Sequence, residues 1–156
     1  MKSKWKIYCF WVILAEAVGA LSAFLTRDGN KLFQEMAVQP PLSPPAILFP
    51  IVWTILYVLM GIGVARISLA GSSIGKRRGL NIFIAQLIMN FFWTLIFFNA
   101  QAYGAAFAWL IGLWILIVLM ILVFRQVDPL AALLQIPYLL WVTFAAYLNY
   151  DVWQLN

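Results

Sequence analysis

The sequence has 156 residues, of which 65 % are hydrophobic and only 10 % are charged. Soluble domains are roughly 45 to 50 % apolar and about 25 % charged, so this composition excludes a soluble globular protein. One cysteine, Cys9, and no histidine exclude an intrachain disulfide framework and remove the commonest metal ligand and general base. We therefore expect no metal site and no required cofactor. The net charge of +5 comes from short basic runs between apolar blocks, which favours membrane topology over nucleic-acid binding.

Five segments are long enough for transmembrane helices, because about 20 apolar residues at about 1.5 Å per residue cross a hydrocarbon core of roughly 30 Å. They are residues 7–25, 46–65, 80–99, 102–124 and 130–150. A barrel is excluded, because runs such as IGLWILIVLMILVF do not alternate apolar with polar residues. The first segment is long, contains Glu16 and lacks a convincing cleavage site, so it is interpreted as a permanent helix. The predicted fold is an all-α integral membrane protein, a five-helix bundle in one domain over residues 1–156.

Basic residues are distributed unevenly between the two ends of these helices. Arg27 and Lys31 fall on one side of the predicted membrane, and eight others fall on the opposite side. The eight are Lys2, Lys4, Lys6, Arg66, Lys76, Arg77, Arg78 and Arg125. By the positive-inside rule, the N-terminus is expected to be cytoplasmic. Short ends without an organelle signal favour a bacterial cell membrane.

One connection is much longer than the others, because residues 26–45 join the first two predicted helices. A loop of this length usually has a function or is disordered. The residues that fit one apolar face of a short helix within it are Leu32, Phe33, Met36 and Ala37. Ser43 can cap the second helix, with Pro44 and Pro45 in its first turn. We expect this segment to form a lid or a docking surface over the bundle.

Polar and aromatic residues are predicted to lie at matching depths in several helices. Four helices have such a residue nine positions from the end near the long loop, roughly 13 Å deep at the helical rise: Glu16, Trp53, Asn90 and Trp141. A second layer, about 18 to 20 Å deep by the same rise, contains Tyr57, Gln86 and Tyr138. The helix faces that carry these layers extend toward the loop through Phe49, Trp93, Thr94, Phe97, Ala145 and Leu148.

Two explanations fit these layers. In the first, aromatic residues fill the bundle, and Asn, Gln and Tyr side chains form hydrogen bonds between helices. In the second, the layers line a site for a large flat apolar ligand, since intramembrane polar residues usually face a cavity. Their position beneath the long loop favours a ligand site. Glu16 is either a structural group, which is the favoured alternative, or a proton or cation site.

Small residues recur at four-residue spacing in two of the predicted helices. They are Ala15, Gly19 and Ala23 in the first helix and Gly104, Ala108 and Gly112 in the fourth. Such spacing lets helices approach closely, either within one bundle or across a dimer. The pattern leaves both alternatives open.

Three stretches are similar to a known family. They are PPLSPPAILFPIVWTILYVLMGIG at residues 40–63, NFFWTLIFF at residues 90–98 and DPLAALLQIPYLLWVTFAAYLNYDVWQLN at residues 128–156. These stretches closely resemble the tryptophan-rich sensory protein and translocator protein family, also called the peripheral benzodiazepine receptor or TspO/MBR family. The resemblance covers essentially the whole chain. It implies a five-helix bundle, often dimeric, that binds porphyrins and, in some members, sterols and isoquinoline or benzodiazepine ligands under the first loop.

The resemblance also implies which residues face the ligand. By matching position they are Trp53, Tyr57, Asn90, Trp93, Tyr138, Trp141, Ala145 and Leu148, to which the helix faces add Phe49 and Phe97. Trp53 and Trp141 match a tryptophan pair implicated in porphyrin chemistry. The predicted lid residues are Arg27, Lys31, Leu42 and Pro44. Leu42 stands where many relatives have tryptophan, and Tyr150 is followed by neither Lys nor Arg, so specific cholesterol recognition is not predicted.

The main hypothesis is a membrane receptor or carrier for tetrapyrroles such as protoporphyrin IX or haem, with a role in transport, sensing or stress regulation. The ring would stack on Trp53 and Trp141, and its propionates would point outward to Arg27 and Lys31. One alternative is light- or oxidant-dependent porphyrin breakdown by these two indoles, and another is a proton-coupled exporter that uses Glu16. The expected partners are hydrophobic small molecules, the lipid bilayer and a second copy of the chain.

Overall fold

The fold is built from helices joined by short connections, in a computed structural model that describes residues 4–71 and 73–156. The helices are α1 (Lys4–Leu25), α2 (Arg27–Met36), α3 (Leu48–Leu69), α4 (Ile74–Thr94), α5 (Tyr103–Val127), α6 (Pro129–Leu133) and α7 (Ile136–Leu155). A π-helical turn, Leu95–Asn99, continues α4. The described residues contain no β-strand, so the predicted all-α fold class is confirmed.

Five segments of the structure are long and apolar enough to cross a membrane. They are Lys4–Leu25, Leu48–Leu69, Ile74–Asn99, Tyr103–Val127 and Pro129–Leu155. Each overlaps one predicted segment, which confirms the number and order of the spans. Large apolar side chains such as Ile13, Ile115 and Leu140 point outward from them. Helices that are apolar on all faces in this way are typical of membrane spans.

The third span begins six residues before the predicted start at Leu80. Ser73 caps it, because the Ser73 hydroxyl accepts a hydrogen bond from the backbone N–H of Lys76 across 3.1 Å. Lys76, Arg77 and Arg78 therefore lie in the first turns of α4 and not in a loop. Hydropathy identifies the part of a helix that lies in hydrocarbon, whereas the capped helix continues beyond it.

The long connection contains the predicted short helix, which is α2. Phe33 is the buried side chain of this helix, whereas Leu32 and Met36 are exposed. The predicted apolar face is therefore reduced to Phe33 and the partly buried Ala37. One buried aromatic side chain, Phe33, is enough to hold α2 on the bundle, because α2 covers the end of the bundle instead of packing along its length.

The predicted start of the second span is also corrected. α3 begins at Leu48, after the two prolines, and its N-cap residue Ile47 makes no side-chain capping bond. Ser43 is therefore not the cap, and Pro44 and Pro45 are not in the first turn. A proline disfavours the helical conformation of the residue before it, so Pro44 cannot belong to a helix that continues through Pro45. The first turn forms afterwards, where the N–H of Leu48 donates to the carbonyl of Pro45 across 3.0 Å.

Helices α1 and α3 pack along each other, and α5 packs against α4 and α7. The approach of α1 to α3 is close at Gly61, where an added Cβ would lie 2.5 Å from the Cα of Val12. Beneath the site described below, the bundle is filled by fully buried residues, including Met60, Phe83 and Met120. This packed half supports the opposite half, which lies under α2.

The end of the bundle opposite α2 carries most of the basic residues. Arg66, near the end of α3, pairs with Asp128, with Nε and Oδ2 2.6 Å apart. Asp128 also caps α6 by accepting a hydrogen bond from the N–H of Leu130. Lys2, one of the eight residues used to predict orientation, lies outside the described residues. The orientation itself stays a prediction.

Candidate ligand-binding site

A cavity of about 350 Å³ lies between the helices beneath the 26–45 segment. Residues of α1, α2, α3, α4, α7 and the π-helical turn line it. Nine of the ten predicted ligand-facing residues are among them: Phe49, Trp53, Tyr57, Asn90, Trp93, Phe97, Trp141, Ala145 and Leu148. The structure therefore brings together side chains that are far apart in the sequence.

Aromatic rings of α3 and α7 form one wall of this cavity. Trp53 stacks on Tyr57, with ring centroids 5.6 Å apart and an interplanar angle of 29°. Trp141 packs edge-on against Phe49 at 5.7 Å. Both indoles consequently lie on the same cavity, although α3 and α7 are separated by two other spans in the chain.

A second aromatic group closes the cavity toward α2. Phe33 of α2 packs against Phe97 at 5.2 Å and against Phe98 at 5.6 Å, both edge-on. Trp93 lies next to Phe97, with centroids 5.4 Å apart. The π-helical turn thus provides the surface on which the short helix rests.

The inner end of the cavity is held by a chain of hydrogen bonds. The Tyr57 hydroxyl donates to Asn90 Oδ1 (3.0 Å), Asn90 Nδ2 donates to the Tyr138 hydroxyl (2.8 Å), and this hydroxyl donates to Gln86 Oε1 (2.6 Å). All four side chains are buried. Tyr138 does not line the cavity, in contrast to the prediction, because α3, α4 and α7 close together below Asn90. Its hydroxyl supports Asn90 from beneath.

The predicted lid residues do not line the cavity either. The Arg27 guanidinium lies 4.1 Å above the ring of Phe24, and Nη1 donates to the carbonyl of Phe24, so this side chain folds back on α1. Lys31, Pro44 and the 66 % exposed Leu42 are also absent from the wall. The 26–45 segment instead contributes Thr26, Asn30, Phe33, Gln34, Gln39 and Ser43. Docking of Phe33 rotates α2 so that Asn30 and Gln34 face inward.

Sequence reasoning missed Asn149 as a site residue. Its Oδ1 accepts a hydrogen bond from the Trp93 indole (3.0 Å), and its Nδ2 donates to the carbonyl of Tyr103 (2.9 Å). A signal was present, because Asn149 lies four residues after Ala145 and eight after Trp141, which places all three on one helix face. Glu16, for which a structural role was favoured, lies on the cavity wall.

Polar contacts tie the 26–45 segment to α7 and the end of α1 to the π-helical turn. The Asn156 side chain accepts from the N–H of Val38 (3.0 Å) and donates to its carbonyl (2.8 Å). Asn99 donates to the carbonyl of Leu25 across 3.0 Å. The segment is therefore tied to α7 at one point, and the end of α1 is tied to the π-helical turn at another.

The site offers stacking surfaces, amide groups and one carboxylate. Within residues 4–71 and 73–156, no three His, Cys, Asp or Glu side chains lie close enough together to hold a metal ion. The arrangement is suited to holding a flat, mostly apolar molecule through its faces, with a few polar groups to orient it.

Comparison with known proteins agrees with this geometry. A sequence profile described as the TspO/MBR family matches residues 11–154. The chain belongs to the TspO/MBR family. The resemblance found in the sequence is thereby confirmed, and TspO/MBR membership together with five apolar helices makes this an integral, multi-pass membrane protein.

Curated TspO/MBR relatives match the chain over most of its length. The tryptophan-rich protein TspO of Chlorobaculum tepidum is 39 % identical over 144 residues, covering 92 % of this chain and 91 % of that protein. The translocator protein of Ovis aries is 38 % identical over 135 residues, covering 85 % and 79 %. Protein CrtK of Rhodobacter capsulatus is 32 % identical over 151 residues, covering 96 % and 92 %.

Proposed function

We propose that this protein is a membrane receptor or carrier that binds porphyrins, such as protoporphyrin IX and haem, and similar flat hydrophobic molecules. The observation that carries the proposal is the presence of Trp53 and Trp141 on one cavity beneath α2. The name of the translocator protein of Ovis aries supports a role in transport, and a further relative, the tryptophan-rich sensory protein of Cereibacter sphaeroides, supports a role in sensing. Stacking on indole faces supplies the binding energy, since tryptophan buries a large rigid apolar surface.

The size and charge of the cavity favour one orientation of a bound tetrapyrrole. Its volume of about 350 Å³ is near the lower end of the 300 to 1,000 Å³ that is typical of ligand pockets. The described lining contains no Lys or Arg, and an unpaired carboxylate is costly to bury. The ring therefore enters first, and the propionates stay near the lid, where Arg27 and Lys31 are the nearest basic candidates once Arg27 swings away from Phe24.

A titration of protoporphyrin IX into the purified protein in lipid nanodiscs tests the proposal, with the porphyrin absorbance shift as the signal. Trp53→Leu and Trp141→Leu are each expected to weaken binding about tenfold, since about 1.4 kcal/mol corresponds to a factor of ten. Trp5→Leu is the matched control, because Trp5 is exposed and lies outside the cavity. Equal affinities for the wild type and all three variants would contradict the proposal.

The metal in the ring is expected to matter little for affinity. The sequence has no histidine, and the described lining of the cavity contains neither Cys nor Met. Protoporphyrin IX and haem should therefore bind with similar dissociation constants. A strong preference for haem, with a six-coordinate spectrum, would contradict this expectation and would point to Tyr57 on the cavity wall, Cys9 or Met60 as the iron ligand.

A second candidate function is light- or oxidant-dependent breakdown of the bound porphyrin. It is favoured by the same pair, because Trp53 and Trp141 would both lie against the ring and could exchange electrons with it. Incubation with protoporphyrin IX in air, in light and in darkness, separates the two functions. Product that forms with the wild type, but not with Trp53→Phe and Trp141→Phe variants that still bind, would show an enzyme. If the wild type forms no product, the enzymatic function is wrong and the receptor or carrier function is retained.

We also propose that the protein is a homodimer, as the resemblance to an often dimeric family implies, in a bacterial cell membrane with a cytoplasmic N-terminus. The excess of basic residues at the end opposite α2 supports this orientation, and the relatives from Chlorobaculum and Rhodobacter support the bacterial membrane. Reporter fusions at the N-terminus test the orientation. Mass determination in nanodiscs tests the dimer, and a single copy per disc at excess protein would contradict it.

A further inference from the structure

The cavity is acidic in its described part. Glu16 of α1 lies on its wall, and every other described lining residue is uncharged. Among the described residues, the ion pair found is Arg66 with Asp128, so no Lys or Arg of that part of the chain neutralises Glu16. A carboxylate at this depth is therefore available to a molecule inside the cavity.

The backbone of α1 places this carboxylate beside the aromatic wall. At Gly19, α1 approaches the ring of Tyr57 so closely that an added Cβ would collide with several ring atoms. Glu16 lies one helical turn before Gly19 on the same face of α1. Its carboxylate is consequently on the side of α1 that faces the stacked pair of Trp53 and Tyr57.

The Glu16 carboxylate and the neighbouring aromatic rings both favour a positively charged ligand group. An unpaired carboxylate in a low-dielectric site is costly, and a ligand cation beside it removes that cost. The faces of Trp and Tyr rings also attract cations, because their quadrupoles are negative at the face. An anion placed at the same end would be repelled by Glu16.

We propose that Glu16 makes this cavity a site for flat apolar ligands that carry a positive charge, such as a protonated amine, at the end that enters first. The inference rests on the proposed function, since it requires that the cavity binds flat ligands. It also agrees with the proposed position of the porphyrin propionates at the lid, away from Glu16. Among flat ligands, those with a protonated alkylamine or another positive charge at the inner end are thereby expected to bind more tightly than their neutral or anionic counterparts.

Three probes with one ring system test the inference. They are 9-(aminomethyl)anthracene, which is a cation at neutral pH, neutral 9-methylanthracene and anionic 9-anthracenecarboxylate. Binding to the protein in nanodiscs is measured by energy transfer from tryptophan to anthracene. Each probe is compared between the wild type and Glu16→Gln, so that partition into lipid, which is the same for both proteins, cancels.

Glu16→Gln is expected to weaken binding of the aminomethyl probe at least tenfold and to strengthen binding of the carboxylate probe. The neutral probe should change less than twofold, which also shows that the variant is folded. Glu35→Gln is the matched control, because Glu35 is exposed on α2 and is not part of the cavity wall. It should leave all three affinities unchanged.

The outcomes separate this inference from the proposed function. Equal losses for all three probes, or no loss for the cation, would overturn the inference. Binding of protoporphyrin IX without binding of the aminomethyl probe would also overturn it, while the proposed function would stand. If neither protoporphyrin IX nor any of the probes binds the wild type, both are wrong.

Discussion

The hydroxyl of Tyr57 donates a hydrogen bond to Oδ1 of Asn90 across 3.0 Å and thereby joins α3 to α4 at the inner end of the cavity. The same amide donates to Tyr138 of α7, so one asparagine holds three helices. Asn90 is only 1 % exposed. Hydrocarbon offers no water to replace a lost hydrogen-bond partner, so the three helices stay joined at Asn90. This junction sets the position of the inner end of the cavity.

Replacement of Asn90 by alanine is expected to lower the free energy of unfolding by roughly 1 to 3 kcal/mol. Two interhelical hydrogen bonds are lost, and such bonds contribute about 0.6 kcal/mol on average and up to about 1.7 in membranes. Unfolding in mixed detergent micelles measures the change. Asn99→Ala, which removes one exposed bond to the carbonyl of Leu25, should cost clearly less. Equal effects of the two substitutions would contradict the role given to Asn90.

Two tryptophans of the cavity are expected to differ in their contribution to stability. The Trp93 indole donates to Asn149, whereas the buried N–H of Trp141 has no acceptor among the described residues. Trp93→Phe leaves Asn149 Oδ1 without its donor, which costs about 1 to 3 kcal/mol, and Trp141→Phe loses no such bond. Thermal unfolding of both variants should show the larger decrease for Trp93→Phe. The reverse order would mean that Trp141 finds an acceptor that the structure does not show.

Gly29 controls how closely α2 can rest on the bundle. An added methyl group would lie 2.5 Å from the carbonyl oxygen of Phe98 and 2.6 Å from Asn99 Oδ1. Gly29→Ala should therefore lift α2, raise the rate of tryptic cleavage after Lys31 several-fold and speed release of protoporphyrin IX. Gly71→Ala is the matched control, since no atom of the described residues beyond its chain neighbours lies within 4 Å of its added Cβ. Unchanged cleavage in Gly29→Ala would show that α2 adjusts without lifting.

Ala145 is 7 % exposed and lies on the wall of the cavity. Ala145→Thr adds volume and a hydroxyl to a packed apolar region, at a cost of roughly 1 to 3 kcal/mol. Protoporphyrin IX should bind about tenfold more weakly, since about 1.4 kcal/mol is a factor of ten. Ala146→Thr makes the same change one residue further along α7, outside the cavity wall. Similar losses for both variants in tryptophan-quenching titrations would indicate general destabilisation of α7.

The sequence by itself determined the five spans and the depth of the main site residues. Hydrocarbon demands about 20 apolar residues per helix and internal pairing of every backbone polar group, so the apolar composition requires a membrane fold and the lack of apolar–polar alternation excludes a barrel. The fixed helical rise placed Glu16, Trp53, Asn90 and Trp141 in one layer, and all four line the cavity. These properties depend on local geometry and on the solvent, both of which can be evaluated from the chain alone.

Only the tertiary structure decided where the cavity ends and which side of α2 covers it. Tyr138 and Asn149 share one face of α7, yet Tyr138 lies below the inner end of the cavity and Asn149 lies on the wall. Periodicity identifies a helix face, but the depth at which three helices close together depends on their packing. Likewise, contact of Phe33 with Phe97 turns Asn30 toward the cavity and leaves Arg27 outside it. The rotation of a short helix follows from what it rests on, and that surface comes from a distant part of the chain.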